Sequence, residues 1–303
     1  MFSLFVVGGG PAGLSAAIYA ARAGLNTAIW EPEFSGGQMV NTSDIVNYPG
    51  FAQIGGAELA LAMESHAKTL GVTFLPRRVT GLSLQPGALR VTDATESMPT
   101  QAIILAMGAT RRPLGCPGET SFAGRGVSYC ATCDGGFFKD KRAVVVGGGN
   151  TALEDALYLA HICTEVVLIH RRDRFRGGAA LEQAVRAHPR ITLLLDSTVA
   201  EITGAQRVES VCVQNIKTGE TQALPTDAVF IAVGTLPSTQ LLQETGLLDD
   251  NGFVIAGEDT HTAIPGVFAA GDLRRKPLYQ IVTACADGAV AATAAAQFIR
   301  ETH

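Results

Sequence analysis

The stretch VVGGGPAGLSAAIYAARAGLNTAIWE, which starts at Val6, is echoed by VVGGGNTALEDALYLAHICTEVVLIHRR, which starts at Val145. The offset is 139 residues (145 − 6). Each copy runs from an apolar segment through a tight glycine turn into a helical stretch with small residues, then into a second apolar segment. That pattern is a strand–helix–strand unit made twice. The turns read Gly8-x-Gly10-Pro11-Ala12-Gly13 and Gly147-x-Gly149-Asn150-Thr151-Ala152. The first glycine permits the sharp turn and the second lets backbone approach a pyrophosphate. The third position, Gly or Ala, lets the helix pack close on the strand, and the helix N-terminus favours the negative charge. One such turn is a weak signal; two in matching context predict an α/β chain with two Rossmann-like dinucleotide-binding domains.

The copies diverge where a nucleotide's ribose would lie. Glu31 ends the second apolar run of the first copy, and His170 stands at the matching place in the second. A carboxylate there accepts hydrogen bonds from a ribose 2′-hydroxyl and repels a phosphate. The second copy continues His170, Arg171, Arg172, Asp173, Arg174, Phe175, Arg176. Cations at that position suit a 2′-phosphate through charge-assisted contacts. The first unit is therefore expected to take an adenine cofactor with a free 2′-hydroxyl, such as FAD, and the second NADPH rather than NADH.

After the second unit, TAIPGVFAAGDLRRKPLYQIVTACADGAVAATAAAQFI (262–299) gives an apolar strand over Val267 to Ala270. It ends at Gly271-Asp272, and a helix follows from about Gln280. Asp272 there suits a ribityl hydroxyl or pyrophosphate-linked water, or serves as a helix cap. The chain thus returns to the first domain. The Gly/Pro-rich stretch RRPLGCPGE (111–119) and the stretch ETGLLDDNG (244–252) place the change-overs, giving an FAD domain of 1–114 and 246–303 around an NADPH domain of 115–245. The 303 residues carry a net charge of −5, which argues against a general nucleic-acid or anionic-membrane binder. No uninterrupted apolar run reaches membrane-spanning length, and MFSLFVV reads as a first strand rather than a signal peptide.

Six cysteines are present. Cys116, Cys163, Cys212 and Cys285 stand alone and read as small core or loop residues, unlike a secreted disulfide framework; a reducing cytoplasm is expected. Cys130 and Cys133 form a CxxC with Asp134 directly after it. A structural zinc would need a second pair or histidines, and only Cys163 and His161 offer themselves. A structural disulfide conflicts with the compartment. A dithiol–disulfide couple is what CxxC beside a nucleotide-binding fold predicts. Asp134 reads either as a proton donor and acceptor in exchange or as a turn residue before Gly135-Gly136.

In this order, the first glycine turn, CATCD, GGGN and HRRDRFR resemble the low-molecular-weight, bacterial-type thioredoxin reductases, a class of pyridine nucleotide-disulfide oxidoreductases, from about Phe5 to Phe298. The resemblance implies a homodimer whose NADPH domain is inserted into a discontinuous FAD domain and rotates in use. By position it implies that Glu31 to Gln38 wrap FAD, with Gly36, Gly37 and Gln38 near the flavin. Asn47, Gly271, Asp272, Gln280 and Ile281 complete that site. It matches Gly147, Gly149, Asn150 and Thr151 to the NADPH turn, and His170, Arg171, Arg172 and Arg176 to the grip on the 2′-phosphate. Cys130 and Cys133 match the redox disulfide, with Cys133 nearer the flavin and Asp134 as acid. The implied reaction passes a hydride from NADPH to FAD, then electrons to the disulfide, and the dithiol reduces thioredoxin by exchange. One departure stands out: the family has Arg-Gln where this chain has Tyr279-Gln280, so a charge is lost near the flavin or the disulfide domain. The alternative is a flavin-dependent reductase or oxidase of another thioredoxin-like protein or a small-molecule dithiol. An oxidase has no need of NADPH, and the intact HRRDRFR run speaks against it.

Overall fold

A computed structural model describes residues 2–42 and 44–302. The chain divides into two compact units, Met1–Thr110 with Leu236–His303, and Arg111–Thr235. The change-overs lie N-terminal to the stretches that sequence punctuation marks. The chain crosses along strands Ala109–Arg111 and Thr235–Pro237, which form a two-stranded sheet. Glycine and proline signal the loops beyond that ribbon rather than the ribbon itself.

In the first unit, five parallel strands stand in the spatial order Val267–Ala269, Ala102–Leu105, Leu4–Val7, Thr27–Trp30, Thr73–Leu75. Both faces of this sheet are covered, so its strands are apolar throughout rather than alternating. Leu4 and Val6 point into one core with the helices, whereas Phe5 and Val7 point into the other. Helix Pro11–Arg22 follows the first strand, and helix Ile281–Thr302 packs against it through alanines on both sides. Ile281–Thr302 is long and apolar enough by composition to cross a membrane, yet its alanine face is occupied by the first helix.

The second unit repeats the plan. Its parallel sheet runs Ile191–Leu194, Glu165–Ile169, Arg142–Gly147, Ala228–Ala232, Val127–Ser128. Helix Asn150–Ile162 follows the strand that ends in the glycine turn. Val145 faces the helix-side core and Val144 and Val146 face the other. Each unit also carries an antiparallel three-stranded sheet, over 81–99 and 197–225.

The glycine turns make this packing possible. Gly8 has φ +108°, and a Cβ there would come 2.4 Å from the Ala106 carbonyl oxygen on the neighbouring strand's end. A Cβ on Gly13 would lie 1.9 Å from the Gly8 carbonyl oxygen. The helix can therefore start directly over its strand only with hydrogen at both places.

The last helix depends on the same economy. A Cβ on Gly288 would meet the Ala12 carbonyl oxygen at 2.2 Å and the Ala16 nitrogen at 2.9 Å. Gly288→Ala is expected to push the two helices apart and cost about 1–3 kcal/mol, despite alanine's better helix propensity. Urea unfolding of the variant checks this, and an unchanged or raised midpoint would contradict it.

Candidate functional site

The middle glycines of the two turns are required neither by conformation nor by packing. Gly10 caps the first helix at φ −72°, a value open to any residue, and the atom nearest a Cβ built there is Gly37 Cα at 3.9 Å. Gly149 caps its helix at φ −96°, with nothing within 4 Å of such a Cβ. Both glycines keep open a space that a side chain would fill. Neither helix has a side-chain cap or an acidic residue in its first turn, so unshared N–H groups and the positive end of the dipole face that space. A dinucleotide pyrophosphate fits these features.

The residues ending the two second strands lie over the turns in equivalent ways. Glu31 Oε2 accepts the Gly9 N–H at 2.8 Å, and Oε1 accepts the Glu33 N–H at 3.2 Å. These bonds fix the carboxylate beside the turn with acceptor capacity to spare. His170 holds the matching place: a Cβ on Gly148 would lie 2.2 Å from its ring. The ring is buried, stacks on Phe175 at 5.3 Å, and has Nε2 at 3.1 Å from the Arg174 carbonyl oxygen. Burial lowers its pKa most, and the positive charges of Arg176, Arg172 and Arg171 lower it further against the Arg174 contact. His170 is thus a neutral floor for the turn, and the cluster's positive charge rests on Arg171, Arg172, Arg174 and Arg176, all exposed. The Arg176 N–H donates to the Gly148 carbonyl at 2.7 Å, and Asn150 Oδ1 accepts the Gly178 N–H at 2.8 Å. Those two bonds clamp the arginine loop to the glycine turn. Thr151 is exposed beside Asn150 in the helix's first turn.

In the first unit, Gly36, Gly37 and Gly271 lie against the same glycine turn and its helix. The Gly36 N–H donates to the Gly9 carbonyl at 2.7 Å, and a Cβ on Gly37 would come 3.2 Å from Gly10 Cα. Gln38 Nε2 donates to the Ala109 carbonyl. A Cβ on Gly271 would lie 2.8 Å from that of Ala12, and Asn47 Nδ2 donates to Gln280 Oε1 at 3.1 Å. Ile281 opens the last helix, one residue after the expected start, and Tyr279 lies beside Phe253 with ring centroids 6.4 Å apart.

A buried ionic cluster that sequence reasoning missed holds the Gly271–Lys276 loop. Asp287, in the last helix, accepts the Gly271 N–H at 2.9 Å. It receives Arg274 through Nε at 3.0 Å and Nη2 at 2.6 Å, and Lys276 at 3.1 Å. Lys276 Nζ also lies 3.5 Å from Asp272. Burial pulls the Arg274 pKa down, but Asp287 and Glu258 together outweigh this and hold it above the usual value. The available signal was an aspartate in the middle of an alanine-rich helix, a residue that is buried only when paired.

Cys130 and Cys133 are joined by a disulfide across the short helix Ala131–Asp134. Cys116, Cys163, Cys212 and Cys285 are free thiols, Cys163 buried and the others half-buried. Among the described residues no cluster of His, Cys, Asp or Glu could hold a metal ion. Asp134 Oδ2 accepts the Ser128 hydroxyl at 2.6 Å, and Ser128 Oγ accepts the Cys130 N–H at 3.1 Å. Ser128, buried at the end of the strand before the cysteines, is a second residue the sequence reading passed over; its signal was its place in SYCATCD.

Residues 2–289 match the family described as "Pyridine nucleotide-disulphide oxidoreductase". A thioredoxin reductase of Treponema pallidum (strain Nichols) is 41% identical over 299 residues, covering 98% of this chain and 97% of its own. One from Listeria innocua serovar 6a is 40% identical over 302 residues, covering 99% and 95%. The crystal structure of thioredoxin reductase from Streptococcus pyogenes MGAS5005 superposes with a TM-score of 0.93 at 40% identity, over 99% of each chain.

On the helix that starts at Asn150, burial raises the Asp155 pKa from 3.8 to about 7, with Arg111 opposing and Glu154 adding to the shift. The folded value lies above the unfolded one, so folding takes up a proton between them. This residue's contribution is then largest below about pH 4, falls as pH rises towards 7, and is level above that. Asp155→Asn has no such dependence. Its stability relative to the parent is expected to rise from pH 4 to 7 and then flatten. Urea midpoints of both proteins across that range check this; a difference constant with pH would refute it.

Proposed function

This chain belongs to the pyridine nucleotide-disulphide oxidoreductases, and we propose that it is an NADPH-dependent thioredoxin reductase carrying FAD. The observation that carries the reading is the Cys130–Cys133 disulfide, formed in a chain whose four other cysteines are free. It stands in the unit whose glycine turn is flanked by arginines, and relatives about 40% identical over nearly the whole chain bear the same activity in their names. The unit of Met1–Thr110 and Leu236–His303 is the FAD domain, and Arg111–Thr235 is the inserted NADPH domain.

What the bound nicotinamide and flavin supply is a two-electron path from NADPH to a disulfide. The first helix, entered through Gly10, Pro11, Ala12 and Gly13, directs its N-terminal N–H groups at the FAD pyrophosphate. Glu31 accepts from the adenosine ribose and keeps a 2′-phosphate out. Gly36, Gly37, Gln38, Asn47, Gly271, Asp272, Gln280 and Ile281 line the rest of that site. Gly147, Gly149, Asn150 and Thr151 hold the NADPH pyrophosphate, over the floor made by His170. Arg171, Arg172 and Arg176 grip the 2′-phosphate. Cys130 and Cys133 cycle between disulfide and dithiol, Asp134 holds a proton for them, and the dithiol reduces the thioredoxin disulfide by exchange. A homodimer is the working assembly and the cytoplasm the working compartment, in keeping with four free thiols.

Cys130→Ser and Cys133→Ser should each abolish thioredoxin reduction, because neither can form the internal disulfide. Both should still be bleached by NADPH under anaerobic conditions, since that step needs no sulfur. Full thioredoxin turnover by either variant would overturn the assignment.

Arg171→Ala and Arg176→Ala should each weaken NADPH about tenfold, the worth of one charge-assisted contact, and leave the response to NADH nearly unchanged. Steady-state KM values for the two nucleotides decide it. Equal losses with both would deny these arginines the 2′-phosphate.

A further inference from the structure

The hydroxyl of Ser128 has one proton and two acceptors within reach. Its Oγ stands 2.6 Å from Asp134 Oδ2 and 3.3 Å from the Cys130 carbonyl oxygen, and it accepts the Cys130 N–H at 3.1 Å. Ser128 is buried, so these three partners serve it in place of water. Against an ionised Asp134 the proton belongs on the short, charge-assisted bond. Against a protonated Asp134 it cannot remain there, because two O–H groups would then point at each other. Rotation about Cβ–Oγ resolves this. The hydroxyl donates to the Cys130 carbonyl and accepts from Asp134, while still accepting the Cys130 N–H. Both states of Asp134 find a full set of partners without backbone movement.

We propose that Ser128 is the positioning residue that lets Asp134 take up and release its proton in place, at the turn whose disulfide opens and closes in each cycle. The inference rests on the reading of Cys130–Cys133 as the redox couple. Reduction of that disulfide to a dithiol takes two electrons and two protons. Exchange with a partner disulfide passes both pairs on, so the partner leaves as a dithiol and the Cys130–Cys133 bond re-forms. Asp134 holds one of those protons in passage and is itself unchanged over the cycle.

A purely structural serine, tying the turn to the preceding strand, would slow the reaction whatever stands at position 134. A serine acting through Asp134 would not. The test is therefore a double-mutant cycle on the FAD-loaded protein with S128A, S128T, D134N and the S128A/D134N pair. Each is reduced anaerobically with NADPH and mixed with oxidised thioredoxin, and separately with hydroxyethyl disulfide, while loss of thiols is timed. S128A is expected to slow exchange roughly tenfold, S128T to return it to within about twofold of the parent, and S128A to cost nothing further on top of D134N. Equal penalties in the two backgrounds, or no recovery with S128T, would overturn the proposal. The flavin spectrum and thermal midpoint identify a misfolded S128A, in which case S128G takes its place in the cycle. A parent protein that reacts with the small disulfide and not with thioredoxin counts against the assigned partner alone, and the cycle is then judged on the small disulfide. A parent that reacts with neither sinks the redox reading and this proposal with it.

Discussion

A helix can begin directly above the end of a strand only where backbone passes backbone with no Cβ between them. In this chain that condition is met twice, by Gly8 against Ala106 and by Gly147 against the Ala232 carbonyl oxygen, where a Cβ would lie at 2.4 Å in each case. Once it is met, the helix N-terminus stands over the sheet's carboxyl edge and its unshared N–H groups point outward. The middle glycines then leave the space in front of those groups empty. The parallel sheets, the small residues of the first helix and the alanine face of the last one are all consequences of bringing these backbones so close.

The same scaffold carries opposite charges at equivalent places. Glu31 and His170 each cover the residue after the first glycine of their turn, and a Cβ on Gly9 or Gly148 would strike them. In the first unit the covering side chain is itself the charged group. In the second it is a neutral, buried ring, and the charge has moved onto arginines of the following loop, pinned by the Arg176–Gly148 bond. Under the proposed cofactor assignment, one position sets nucleotide preference directly in one copy and indirectly, by supporting a loop, in the other.

What was legible in the sequence follows from how each signal is encoded. The duplicated turns, Glu31, the arginine run and CxxC are local strings whose chemistry is fixed by spacing; they place the fold and supply most of the proposed site. His170 was visible as a position but not as a role, because its neutrality comes from Phe175 and Gly148 packed around it. The change-overs between units lie in a paired ribbon at Ala109–Arg111 and Thr235–Pro237, whereas punctuation residues mark the loops beyond. Ser128 and Asp287 were hidden for another reason. Each acts on partners that only the folded chain supplies in the right orientation: one spans the cysteine turn, and the other reaches from the last helix to a loop eleven to sixteen residues earlier.

Asp287 also shows how the first unit's last helix is tied to the loop before it. The carboxylate joins the last helix to the loop that ends the central sheet, through one backbone N–H, one guanidinium and one ammonium. A buried pair of this kind is weak evidence for net stability, since its desolvation offsets its attraction, whereas breaking one costs about 3–5 kcal/mol by stranding the partner charge. Its value lies in exclusion of alternatives. Asp287 is the buried partner that Arg274 and Lys276 share, so the Gly271–Lys276 loop is tied to the last helix. Asp272 sits inside that loop, 3.5 Å from Lys276. The Asp272 carboxylate is therefore linked, through Lys276, to a residue fifteen places further along the chain (287 − 272), which lies in the helix whose glycine and alanines pack on the first glycine turn's own helix. Turn, helix pair and ionic cluster are thus joined by direct contacts within the first unit.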